Sequence, residues 1–506
     1  MNQKCDEDKE KKRVKIVQGN QSAQPPQENS LCVSNVDIIR SLQHSERDIF
    51  YSTILEDHCL PAMHPIFEVL FRRFDDHSVL ANATLALSSC SFSRLYPEKK
   101  ASVTSEMGSL SPHLVHQTRS QLYYSLAIKR FTAFREHEIH DSPTMVLTVL
   151  IIFAYIESSM GNFQGFYCHD QGIISLLSHL KISSRTDLDS LLAAWLQIRI
   201  VVWWARAYFC SLEVHRHLPS TLPPGITMEN LPAFQGQRVN VLSIMCESHR
   251  INFSALLRHW DTGDFGAQGS ELCSGDEEFD KTCHFLAQQG EMLDRWLDAL
   301  PTSDLPIDGL DGVHEIDHVD QRTPIFFRSH EAALNFAYYT VARIMQSTGL
   351  LRSLKKADPS YIPYDSHTEE SWTRVLLRIA RGTKMETSLS RNSYTIGFSG
   401  LLLTALLRCQ ARGLALEIQE WLQDLEILKP TEEGAFPLYQ TLGVVNTINC
   451  QKMANRDVFA VTQSVDDEGG TPKINAYNSQ SISSLLFHGM SRTSGALFTD
   501  YLPVAL

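Results

Sequence analysis

The chain has 506 residues, 43% hydrophobic and 20% charged, which is the balance of a globular protein and excludes a wholly disordered one. Its 45 basic and 58 acidic residues leave a net charge of −13, so the body as a whole is not built to grip nucleic-acid phosphates. The 11 cysteines are odd in number, scattered, and without a C-x-x-C pair, which reads as reduced thiols packed as small hydrophobes in an intracellular compartment.

Residues 1–35 are polar and rich in Pro, Gln and Asn, with no apolar periodicity, and they predict a disordered arm. Within the arm, Lys9, Lys11, Lys12, Arg13 and Lys15 place five basic residues in seven positions. That run is either a nuclear-import signal, or the basic flank of a DNA-binding module, or a solvated tail. The charged opening, residues 1–15, is not that of a secretory signal. Helical texture begins at Asp37, and an amphipathic run from Glu46 ends before Pro61 and Pro65. Residues 79–94, small and apolar, predict a closely packed helix, and residues 99–111 a polar loop. Over residues 122–134, Tyr123, Ala127, Phe131 and Phe134 fall on one helical face.

Residues 144–180 are the stretch around which we expect the chain to be organised. Met145 to Ile156 are apolar but for Thr148, and Pro143 just before them suits the first turn of a helix. Gly161 is a stop signal, and a second helix is expected from about Tyr167. A helix apolar all round belongs in a protein core. Twelve such residues rise about 18 Å, too short for a hydrocarbon layer of roughly 30 Å. Residues 191–210, interrupted by Gln197, Arg199 and Arg206, are not expected to span a membrane either. Their Trp195, Trp203 and Trp204 read as core in preference to a ligand pocket. His215 and His217 lack a partner at metal-binding spacing, and His137 and His140 miss H-E-x-x-H by one residue.

Further helices are expected at residues 241–260, 279–300, 331–346, 372–381, 394–409, 414–428 and 436–453, with breaks at 218–234, 262–278 and 301–323. No strand alternation of useful length is evident. The fold expected is therefore all-α, a large array of antiparallel helix pairs over residues 36–490, with the arm before it and a C-terminal tail at 491–506.

The run Phe166-Tyr167-Cys168-His169-Asp170-Gln171-Gly172, following an apolar helix, resembles the regulatory domain of fungal zinc-cluster transcription factors, which more often carry Trp in place of Cys168. Ser393-Tyr394-Thr395-Ile396-Gly397-Phe398-Ser399-Gly400, Glu433-Gly434-Ala435-Phe436-Pro437-Leu438, Arg456-Asp457-Val458-Phe459 and Tyr477–Leu486 are similar to later stretches of that family, in family order. Lys4-Cys5-Asp6-Glu7 resembles the surroundings of the third zinc-cluster cysteine, but the next cysteine is Cys32, so the six-thiolate cluster is missing. Cys5 is then a remnant left by truncation or a misplaced start, or a coincidence.

The resemblance implies a nuclear regulator of transcription controlling a metabolic or secondary-metabolite gene set. Its implied partners are other regulators or a second copy, and a small-molecule effector; DNA joins them only if a zinc cluster has been lost from this chain. One alternative is a helical co-regulator acting through partner proteins; another is an enzyme on a helical fold. No G-x-S-x-G, G-x-G-x-x-G, Walker loop or calcium loop is present, so we expect no catalytic residues, no metal, no cofactor and no membrane partner.

Overall fold

The computed structural model describes residues 44–99, 110–179, 186–208, 211–212, 215, 218–224, 226, 236–261, 272–309, 322–355, 366–434, 436–464 and 484–504. The N-terminal arm with its basic run, Cys5, Cys32, and most of the breaks expected at 99–111, 218–234, 262–278 and 301–323 lie outside them. Contacts divide the chain into two units, Met1–Arg47 and Asp48–Leu506, and all but the first four described residues belong to the second.

Among the described residues the architecture is all-α with one three-stranded sheet and two two-residue ladders. The first layer comprises α1 (His44–Ile54), continued by a π-helical turn (Leu55–Cys59) and a 3-10 turn (Leu60–Ala62), then α2 (Ile66–Arg73) and α3 (Ser78–Leu95). A two-residue ladder joins β1 (Glu98–Lys99) to β2 (Leu110–Ser111) and leads into α4 (Leu114–Phe131) and α5 (Glu136–Asp141). The centre is α6 (Pro143–Ser159), followed by α7 (Phe163–His179) and α8 (Thr186–Tyr208). Beyond it come α9 (Gln237–Asp261), α10 (Leu272–Asp298), α11 (His330–Gln346), α12 (Gly349–Lys355), α13 (His367–Gly382), α14 (Met385–Arg391), α15 (Phe398–Leu406) and α16 (Arg412–Ile427). The short β3 (Glu432–Glu433) and β4 (Phe436–Pro437) precede α17 (Leu438–Met453), and β5 (Arg456–Thr462), β6 (Ser484–Ser491) and β7 (Leu497–Pro503) close the chain.

Helices adjacent in sequence pack in pairs: α3 on α4, α6 on α7, α9 on α10, α16 on α17. Helix α6 also touches α2, α3, α5 and α8, and every residue from Met145 to Glu157 is buried. Pro143 sits in its first turn, and Gly161, with φ of 69°, turns the chain into α7 four residues before the expected start. A positive φ is accessible to glycine without a Cβ clash, which is what so short a connection requires. The stripe Leu334, Tyr338, Val341 and Met345 of α11 is fully buried, as its spacing predicts.

The expectation that no useful strand exists is corrected by the antiparallel sheet β5-β6-β7. Strand β5 is buried at six consecutive positions and β6 on both faces over most of its length, so neither alternates in polarity. Only β7 alternates, and it lies in the stretch assigned to a tail beyond Met490. Helix α10 starts inside the break expected at 262–278, α15 is shorter than residues 394–409, and α2, α12 and α14 are additional helices. Within α8, Asp187–Ala207 is long and apolar enough to cross a bilayer by length and composition, contrary to expectation, but that stretch is mostly buried within the protein.

Candidate functional site

Three buried carboxylates organise the interior, each inside one of the segments that carry the family resemblance. Asp170, fully buried on α7, accepts a hydrogen bond from Trp195 Nε1 (3.0 Å) and pairs with Arg199 Nη1, both on α8. Arg199 Nε also donates to the Thr221 carbonyl (3.2 Å). Burying one charge is tolerable only with such partners. So Trp195 and Arg199 serve packing; Trp203 and Trp204 are buried too, in line with the core reading.

Glu433, fully buried on β3, gathers five donors. Ser388 Oγ (2.8 Å) and Asn392 Nδ2 (2.7 Å) donate to Oε1, as does the Phe398 N–H (3.1 Å). The Ser399 N–H and hydroxyl (2.8 Å each) donate to Oε2. The two amides belong to the first turn of α15, whose orphan N–H groups and positive dipole end suit a carboxylate. Thus the Tyr394–Ser399 and Glu433–Leu438 stretches meet on one side chain. Gly434, with φ of 67°, lies so close to the Gly397 backbone that a side chain there would collide with it.

Asp457 on β5 is held by Arg492, which donates from Nε (2.7 Å) and Nη2 (2.6 Å), with Lys452 Nζ 3.5 Å away. Burial lowers the Lys452 pKa, and Asp457 pulls it back up. A fourth polar knot lies at the α6–α7 turn. There Tyr124 donates to Glu157 Oε1 (2.6 Å), Asn162 Nδ2 donates to Oε2 (2.7 Å), and His169 Nε2 is 2.6 Å from the Tyr124 oxygen. Burial holds His169 down at about 4 and, with the hydrogen bond to Glu157, raises the Tyr124 phenol. The Asp170 and Glu433 carboxylates are fully enclosed, whereas the Asp457 and Glu157 knots reach the surface through Arg492 and Asn162.

Burial likewise pushes Cys59, Cys90 and Cys409 up to about 11 and raises Cys246, so these thiols are packed and inert; Cys168 and Cys450 are exposed. His215 is buried against Phe253 of α9, while His217 lies outside the described residues. Helix α5 carries His137, which is exposed, and His140. Among the described residues, no three His, Cys, Asp or Glu side chains are grouped to hold a metal ion.

One accessible feature among the described residues is a cleft of about 1060 Å³ between α1, the π-helical turn, α2 and α3. Met63 and Leu80 are buried in its floor, whereas Leu55, Leu60, Phe71, Phe74 and Leu85 are only half-buried. Asp48, Glu56, Glu68 and Asp75 stand around it against Arg72 and Arg391. Its lining contains no His, Cys or Lys, so it offers no familiar base or nucleophile pair. The sequence does not reveal this cleft, because its residues come from several separate elements and none forms a motif. The one signal is the pair Pro61 and Pro65, which break the helical run beside it.

No family model matches the chain, and no curated protein or solved structure matches it either.

Proposed function

We propose that this protein is a regulator of transcription of the fungal zinc-cluster type, acting through its helical regulatory body. It acts in the nucleus on a metabolic or secondary-metabolite gene set, through other regulators or a second copy. In this reading it is not an enzyme and holds no cofactor. The observation that carries the reading is the convergence of the resemblance segments on Glu433, with Asp170 and Asp457 filling the same office in two others. The net charge of −13 supports action through proteins in preference to direct phosphate contact.

The test is to tether the whole chain to a heterologous DNA-binding module upstream of a reporter gene. A regulator changes reporter output in a manner lost when the body is unfolded by Ile151→Asp. Output equal to that of the DNA-binding module alone contradicts the proposal.

A further inference from the structure

We infer that the cleft between α1, α2 and α3 is a docking groove for a basic, amphipathic helix of a partner protein. The inference stands on the cleft alone and holds whether or not the partner belongs to the transcription machinery.

Half-buried Leu55, Leu60, Phe71, Phe74 and Leu85, packed on the core from below, present an apolar floor that the protein's own side chains cover only in part. Ile49 (67%) and Val69 (50%) are also exposed on the two bordering helices, outside the lining itself. A helix with its side chains is about 10–12 Å across, and it docks by apolar anchors at i, i+3, i+4 and i+7. An open trough with aromatic and leucine walls suits that mode better than it suits a small ligand, which sites of this kind enclose almost fully.

The rim decides the partner's charge. Four carboxylates, Asp48, Glu56, Glu68 and Asp75, face two guanidinium groups. One of these, Arg72, is tied to Glu68 at 2.7 Å in a pair that is mostly exposed and therefore weak enough to rearrange. Outside the lining, Asp57 and Asp76 are exposed on the adjoining turns, and exposed Arg73 is paired with Asp187. Lys or Arg flanking the anchors would complement this rim and speed encounter, while an acidic helix would be repelled. The π-helical turn Leu55–Cys59 borders the groove, in keeping with the frequent use of such turns at binding sites.

The experiment uses the purified full chain and two labelled synthetic helices with the same leucine anchors, one flanked by Lys and one by Glu, each with a photo-cross-linker. The Lys-flanked helix is expected to bind saturably, to weaken as salt rises, and to cross-link within residues 48–85. The double charge reversal Glu56→Lys with Asp75→Lys, both exposed, should leave the melting curve in place and weaken binding at least about tenfold. Phe74→Ala should weaken it as well. Equal affinity for the two helices, or cross-links elsewhere on the chain, overturns the inference. Loss of binding in Phe74→Ala with no effect of the charge reversals points to an uncharged apolar ligand and also overturns it. So does self-association of the chain that the charge-reversed variant abolishes, since the groove would then hold a second copy.

Discussion

Glu433 and Gly397 compete for one space: a methyl group on the α-carbon of residue 397 would overlap the Glu433 carboxylate. The backbone at Gly397 is ordinary, with φ of −85°, so the position needs the missing side chain and not a special conformation. Helix α15 begins where it does because its first turn wraps that carboxylate.

Gly397→Ala should therefore displace Glu433 and cost about 1–3 kcal/mol by overpacking. Glu433→Ala should cost more, about 3 kcal/mol or above, because five donors lose their acceptor in a buried place. Glu433→Gln, which keeps the shape and one acceptor oxygen, should fall between Glu433→Ala and the parent. Urea unfolding midpoints check the order. Parent-like midpoints for both Gly397→Ala and Glu433→Ala would mean that the carboxylate does not hold α15.

The Asp170–Arg199 pair gives a second test. Arg199→Met should leave Asp170 charged and buried with only Trp195 as donor, at a cost of about 3–5 kcal/mol. Adding Asp170→Asn removes the stranded charge while keeping an acceptor for Trp195, so the double variant should recover much of the loss. A double variant showing the sum of the two single losses would contradict the pairing.

Much of this body can be read from residue order. The helix over Pro143–Ser159 announces itself through unbroken apolarity, and the α11 stripe through its spacing. The sheet is silent because β5 and β6 are buried on both faces, where alternation carries no information. Glu433 is silent for another reason: its partners Ser388, Asn392, Phe398 and Ser399 lie 34 to 45 residues away and meet it only through loop geometry. Gly397 and Gly434 are its only local trace. The cleft is illegible because half-buried side chains drawn from several separate elements have no shared period.

Acid should weaken the fold before it touches most carboxylates. Burial holds His215 down at about 3 and His169 and His488 at about 4, against an ordinary value near 6.5. Between those values the unfolded chain binds protons that the folded chain refuses, so stability falls as pH drops from about 6.5 to 4 and is indifferent to these groups above 7. Urea midpoints at about pH 7.5, 6 and 5 should decline in that order. His488→Gln, which can still bond Thr462 and Thr499, should make the decline shallower. A flat profile would mean that these histidines are solvated.

The basic run Lys9, Lys11, Lys12, Arg13 and Lys15 is expected to promote nuclear entry. Replacing Lys11, Lys12 and Arg13 by Ala should shift a fluorescent fusion of the whole chain toward the cytoplasm. An unchanged distribution would assign entry to a partner or to another segment.

Chromatin immunoprecipitation of the tagged chain, sequenced genome-wide in cells that express it from its own promoter, tests regulation of transcription most directly. A regulator of this kind should give discrete enrichment upstream of a limited gene set whose expression changes when the chain is deleted. The purified chain alone should bind those sequences no better than unrelated DNA across salt concentrations, as the proposed action through partner proteins requires. Enrichment no greater than in an untagged control, with those transcripts unchanged on deletion, would contradict regulation of transcription by this protein.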